Sequence, residues 1–130
     1  MPLVRIDVVK GRTTLEKRAI MDAVRKSLID ALKVPASAVT VKLDVSDREF
    51  FDVPEGRSDK YVVIEMTMFP GRSKKAKKSL YAAIVGNLGK DAGIAPEDVE
   101  IVIVESPKEN WGIRGGKPAD EVEVGYDINV

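Results

Sequence analysis

With 130 residues, 44% apolar and 32% charged side chains, and acids and bases balanced at 21 each, the chain reads as one globular domain with no net field to draw nucleic acid. Cysteine and histidine are both absent, which excludes disulfides, thiolate metal sites, cysteine nucleophiles and the commonest general base. Any catalysis is left to carboxylates, lysine, arginine, tyrosine, backbone groups or the chain terminus.

The chain begins MPLVRIDVV, whose alternating apolar residues predict a strand. Proline donates no backbone hydrogen bond, so Pro2 suits the head of that strand. Removal of Met1 would also leave Pro2 with a free secondary amine, a group no side chain offers. Next comes Gly11-Arg12-Thr13, with Thr13 and Glu16 spaced as a helix capping box. Ile20, Val24, Leu28 and Leu32 then recur at helical spacing, VPAS at 34–37 signals a turn, and VTVKLDV at 39–45 reads as a second strand.

The segment 46–60 is polar and rich in turn residues apart from Phe50, Phe51 and Val53, and reads as a linking loop or short hairpin. Its two phenylalanines are expected at a subunit contact or cavity rim. Beyond it the pattern repeats. A strand ending in EMTMF leads into Gly71-Arg72-Ser73, followed by Leu80, Ile84 and Leu88, a turn over GIAPED and the strand VEIVIVE at 99–105. Arg72 stands sixty positions after Arg12, and Leu80, Ile84 and Leu88 sixty after Ile20, Val24 and Leu28. The lysines of RSKKAKKS wrap around a helix start with no interleaved aromatics, which reads as a solvated face and not as a nucleic-acid patch. Residues 106–130 carry loop signals around Gly112, Gly115 and Gly116, with a short strand or hairpin expected over EVEVGYDINV.

Each half is therefore a right-handed β-α-β unit, about 2–45 and 61–105, with 46–60 as linker and 106–130 as an added segment. The fold class is α+β: two tandem units make a four-stranded sheet with both helices on one face, plus short extra strands. All 130 residues are expected to form one domain. The uncovered face, expected to carry alternate apolar residues, calls for a second copy of the chain.

Pro2 after Met1, a strand, Gly-Arg-[Ser/Thr] opening a helix and the downstream NWGIRGG together resemble the tautomerase superfamily, of the 4-oxalocrotonate tautomerase-like fold. The double length, PGRSKKAKKSLY and the ENW turn look most like its malonate semialdehyde decarboxylase-like branch. The resemblance implies a homotrimer with an active site around the terminal proline at the open end of the sheet. It implies Pro2 as the catalytic amine, Arg72 as the arginine gripping a substrate carboxylate, Trp111 as an aromatic wall, and Arg12 as an arginine used by single-unit members. Two positions depart from the decarboxylase pattern: Pro70 stands where a second arginine is expected, and Ala38 where an aspartate is.

The chemistry fits those residue types. An α-amine has an unperturbed pKa of about 7.7–8.0, and an apolar pocket beside arginine lowers it further. A neutral amine can take a proton next to a carbonyl and return it elsewhere. Arginine grips a carboxylate with two parallel hydrogen bonds and stays charged. The leading expectation is thus a cofactor-independent tautomerase acting on a small anionic oxo- or enol-acid. The alternatives are a decarboxylase or hydratase acting on a 3-oxo acid such as malonate semialdehyde, and an inactive oligomeric binding protein of the same fold. No metal site is expected, since the aspartates at 44, 47, 52 and 59 lack metal-loop spacing. No apolar run is long enough to span a membrane and no signal peptide is evident, so a cytoplasmic location is expected.

Overall fold

The computed structural model describes residues 1–130. Strand β1 (Leu3–Val9), helix α1 (Thr14–Leu32) and strand β2 (Thr40–Ser46) form the first unit. Strand β3 (Val62–Met68), helix α2 (Lys74–Ala92) and strand β4 (Val99–Glu105) form the second. Both helices begin where the capping residues place them. The Thr13 hydroxyl accepts from the Glu16 N–H while Glu16 accepts from the Thr13 N–H, and the Ser73 hydroxyl accepts from the Ala76 N–H. Each helix ends in a left-handed residue, Lys33 in the first and Gly93 in the second. A 3-10 turn then leads into the outer strand of each unit, Ala36–Ala38 and Pro96–Asp98.

The sheet runs β2-β1-β3-β4. Pairing is parallel within each unit and antiparallel between β1 and β3, where Ile6 lies opposite Ile64. The pseudo-twofold axis passes between these strands at Arg5 and Glu65, which are sixty residues apart and lie opposite each other. The helices share one face of the sheet, and Ile20, Val24 and Leu28 of α1 are fully buried together with Leu80, Ile84 and Leu88 of α2. Burying each such side chain contributes about 1.5–3 kcal/mol. The axis between the helices carries a polar pair sixty residues apart. Asn87 Nδ2 donates to the Ser27 hydroxyl at 2.9 Å, and that hydroxyl donates to the Ala23 carbonyl at 2.7 Å.

The antiparallel centre has a consequence for function. It sets the C-terminal end of β3, and the Gly71-Arg72-Ser73 turn beyond it, beside the first residue of β1. By the same symmetry it sets Gly11-Arg12-Thr13 beside the first residue of β3.

Two expectations are corrected. The open face of the sheet is not a continuous apolar surface. Arg5, Asp7, Lys42, Asp44 and Glu65 lie on it in ion pairs, Arg5–Asp7 at 3.3 Å, Arg5–Glu65 at 3.8 Å and Lys42–Asp44 at 3.5 Å. Apolar groups on that face are Leu3, Val9, Val63, Val102 and Val104, because β1 and β2 carry mostly charged or polar residues at their outward positions. Next, EVEVGYDINV forms no strand. The two extra strands are two-residue pieces, β5 (Gly112–Ile113) and β6 (Lys117–Pro118), and the tail beyond them folds back irregularly over the end of β3. Alternation alone makes no strand where no sheet edge is offered. The linker is one of the two forms expected, an irregular loop with a 3-10 turn at Arg48–Phe50, in which Phe50 is exposed and Phe51 lies edge-on to Tyr61 at 6.2 Å.

Candidate active site

Pro2 is buried at the head of β1, and its carbonyl accepts from the Thr40 N–H at 3.1 Å, which pins the start of the strand to β2. Met1 precedes it as a short strap across a cavity of about 270 Å³. Its amine donates to the Ala38 carbonyl, and its carbonyl accepts from the Tyr126 hydroxyl at 2.7 Å. Pro35, Ala38, Ile113, Arg114 and Tyr126 line the cavity, and no lining residue is acidic.

Arg72, only 5% exposed, is near enough to act on the Met1 amine but is not among the residues that line the cavity. Its Nη1 makes a long hydrogen bond to the Phe69 carbonyl, 3.4 Å, while Nε and Nη2 are buried without any partner. An unpaired buried donor costs about 1–3 kcal/mol, more when charged. Such a group needs an acceptor from outside the chain, an ordered water or a ligand. Burial first, and Arg72 second, hold the pKa of the Met1 amine below its usual value. Burial likewise lowers the Arg72 pKa, partly offset by Tyr126, Glu105 and Asp127. Burial raises the Tyr126 phenol, against an opposing effect of Arg72.

This end of the sheet has a lid that sequence periodicity did not reveal. Phe69, Ala119 and Ile128 form a second small core, with Met1, Trp111, Ile113, Val124 and Tyr126 packed on it. The tail is tied to the start of α2 by the Ser73 hydroxyl and N–H, both donating to the Val130 carbonyl at 2.8 and 3.5 Å. It crosses so close to Gly71 that a Cβ there would stand 3.0 Å from Asn129 Oδ1 and 3.2 Å from the Ile128 carbonyl. Its backbone φ of 138° also favours glycine.

Comparison with known proteins gives the family and the fold. Two family models, each described as tautomerase enzyme, match the chain, one over residues 2–44 and the other over residues 44–114. The chain belongs to the tautomerase family. A curated relative, the probable tautomerase YusQ of Bacillus subtilis (strain 168), is 27% identical over 122 residues, covering 90% of this chain and 96% of that protein. Among solved structures, a malonate semialdehyde decarboxylase is 27% identical with a TM-score of 0.83, covering 89% of this chain and 93% of its own. The FG41 malonate semialdehyde decarboxylase inhibited by 3-bromopropiolate is 29% identical with a TM-score of 0.84, covering 94% and 98%. A native fused 4-OT, at 18% identity and a TM-score of 0.83, shares the fold.

Within this tautomerase-family fold, the residues singled out from sequence are divided between two ends of the sheet. Pro2 and Arg72 lie at the same end of the sheet, where the pairing of Leu3 with Thr67 sets the turn after β3 beside the head of β1. Trp111 joins them one layer back: its ring packs edge-on against Phe69 at 5.2 Å, and its Nε1 donates to the Ser106 carbonyl at 3.1 Å. Ile113, Arg114, Val124 and Tyr126, not Trp111, face the cavity while Met1 is in place. Arg12 lies at the far end of β1, a seven-residue strand, roughly 20 Å or more from Pro2 within one chain. There Arg12 Nη2 donates to the Lys60 carbonyl at 2.7 Å.

Two residues at the cavity were not found from sequence. Tyr126 sits in a polar tail where only its being an aromatic beside Gly125 marks it. Arg114 was visible only as an insertion within the WGI-GG pattern, and it holds a left-handed backbone, φ 48°, unusual outside glycine. Neither Asp nor Glu side chains cluster in a way that would hold a metal ion.

Proposed function

We propose that the mature chain lacks Met1 and uses the Pro2 amine to move a proton on a small keto or enol carboxylate, with Arg72 holding the carboxylate. The observation that carries this reading is the buried Arg72 guanidinium, two of its nitrogens unpaired, beside the head of β1. A carboxylate entering the space Met1 vacates would meet those two donors. The same burial and the same arginine that depress the Met1 amine would act on a Pro2 amine in its place. A neutral amine near pH 7 is the base such a transfer needs. A cavity of about 270 Å³, enlarged by the loss of Met1, suits a small acid.

Tautomerisation is favoured over decarboxylation by the cavity wall. The decarboxylase pattern expects a carboxylate where Ala38 stands, and no acidic residue lines the cavity. A single base and a single anchor suffice for moving a proton. A homotrimer belongs to the proposal. Leu3, Val102 and Val104 on the open face are each nearly half exposed and offer apolar contact to a second copy.

The test begins with the mass of the purified chain, which reports whether Met1 is gone. Ketonisation of the enol of phenylpyruvate by the wild-type chain, lost in Pro2→Ala, is the expected result. Carbon dioxide release from malonate semialdehyde without ketonisation would favour the decarboxylase. Equal inertness of wild type and Pro2→Ala toward both would leave a binding protein of the same fold.

A further inference from the structure

We propose that the Tyr126 hydroxyl is the group that holds the substrate's keto or enol oxygen, and so completes the site as a third catalytic residue beside Pro2 and Arg72. This rests on the reading of the cavity given above. The geometry comes from Met1, which occupies the place a substrate would take. Its carbonyl oxygen accepts from the Tyr126 hydroxyl at 2.7 Å, and that carbonyl is bonded through its carbon to the Pro2 nitrogen. An amide oxygen and nitrogen are about 2.3 Å apart. The hydroxyl oxygen therefore lies within about 5 Å of the Pro2 nitrogen, whatever the angle. When Met1 leaves, the donor loses its only acceptor and is left facing the amine across a gap the width of one oxygen atom.

The position is held from several sides. Tyr126 is half-buried and packs against both the main core and the small core of Phe69, Ala119 and Ile128. Its neighbour Ile128 is buried, and the tail beyond is anchored on Ser73. Arg72 is close enough to influence its titration, although Arg72 itself does not line the cavity. Burial keeps the phenol protonated, which makes it a donor over the working pH range. With no Asp, Glu, His or Cys in the cavity wall, Tyr126 is the one neutral O–H placed across from the amine besides the short hydroxyls of Ser37 and Thr40.

The chemical step balances without another reactant. The Pro2 nitrogen takes the enol hydroxyl proton, breaking O–H and forming N–H, and leaves an enolate. The enolate oxygen accepts a hydrogen bond from Tyr126, which keeps its own proton throughout. The C=C electron pair then takes the proton from nitrogen to form the new C–H bond, while the oxygen lone pair closes the C=O bond. The oxygen bears its greatest charge between the two transfers, when the tyrosine donor acts most strongly.

The decisive variant is Tyr126→Phe in the chain shown by mass to lack Met1. Two probes separate this proposal from the reading beneath it. Benzoylformate carries a carboxylate and an oxo oxygen but no α-hydrogen, so it binds without turnover; phenylacetate lacks the oxo oxygen. Tyr126→Phe should weaken benzoylformate about fivefold while leaving phenylacetate affinity within about twofold, and Arg72→Gln should weaken both. With the enol of phenylpyruvate, Tyr126→Phe should lower kcat about 10²-fold with KM little changed. Its pH profile should keep the ascending limb set by the amine. A wild-type chain inert toward the enol would sink the tautomerase reading, yet the ratio of the two affinities would still decide the role of Tyr126. An unchanged ratio in Tyr126→Phe, or equal weakening of both ligands with a lowered Tm, would overturn the proposal.

Discussion

Gly11-Arg12-Thr13 and Gly71-Arg72-Ser73 are the same turn used twice, yet the protein satisfies their arginines to different degrees: Arg12 leaves one buried nitrogen unpaired, Nη1, and Arg72 leaves two, Nε and Nη2. At Arg12 the first residue of the adjoining strand is preceded by an unbroken peptide chain, and Arg12 Nη2 donates to the Lys60 carbonyl there. Burial lowers the Arg12 pKa, partly offset by Glu16 and then Asp98. Asp98 is the sixty-residue counterpart of Ala38, and its carboxylate accepts from the Ser58 N–H at 2.9 Å and from the Ser58 hydroxyl at 2.5 Å. At Arg72 the adjoining strand starts at a chain end, the position matching Asp98 is an alanine, and two guanidinium nitrogens have no partner. One turn is partly closed by the Lys60 carbonyl, with one Arg12 nitrogen left unpaired. The other has been left with its donors free and roofed by the tail. Sequence repetition preserved the arginine at both ends, and the different neighbours set what each one does.

That contrast is open to direct attack. Arg72→Gln should lower kcat/KM toward the enol of phenylpyruvate by about 10²–10³, near 2.7–4 kcal/mol of transition-state stabilisation, whereas Arg12→Gln should stay within about threefold. Comparable losses in both variants would erase the distinction. Arg72→Gln should also move the ascending limb of the pH–rate profile to higher pH. The amine acts when neutral, and removal of a neighbouring positive charge raises its pKa. A limb that stays in place would mean that burial alone depresses the amine.

The two glycines give the next largest effect. Gly11 and Gly71 have nearly equal φ, 142° and 138°. An alanine at either should cost about 1–3 kcal/mol of backbone strain. Gly11→Ala would meet nothing within 4 Å, but Gly71→Ala would push Cβ against Asn129 and Ile128. Thermal unfolding should therefore show a greater fall in Tm for Gly71→Ala. Equal falls would mean that the tail yields freely and does not roof the site firmly. The smallest effect belongs to the closed end. Ser58→Ala should cost about 1 kcal/mol near neutral pH, read by denaturant unfolding. Ser58 lowers the Asp98 pKa, chiefly through its hydroxyl and then its N–H. That stability is present above the unfolded aspartate value of about 3.9 and is lost as pH falls through the lower folded value. The difference between wild type and variant should accordingly vanish in acid.

Much of the architecture could be read residue by residue. Thr13 with Glu16, and Ser73, marked both helix starts, and the core stripes Ile20-Val24-Leu28 and Leu80-Ile84-Leu88 are buried as their spacing implied. Such signals are local: capping and periodicity need only a few neighbouring residues. The open face was misjudged because apolar content was credited to both sides of every strand, although Arg5, Asp7, Lys42 and Asp44 already marked the polar side of β1 and β2. EVEVGYDINV was misjudged because its alternation is as compatible with an irregular strap as with a strand, and no free edge lies where the tail runs.

The sequence by itself determined the duplicated β-α-β unit, since helix caps, turn glycines and side-chain periods act over a few residues and act identically in both copies. It also marked Pro2 and Arg72 as a pair worth testing. Only the tertiary structure decided which arginine lies near the amine, because that follows from the antiparallel join of β1 to β3, with Leu3 opposite Thr67. It alone brought Tyr126 from the far end of the chain onto Met1. Contacts between residues more than a hundred positions apart depend on how whole elements pack, and no short stretch of sequence encodes them.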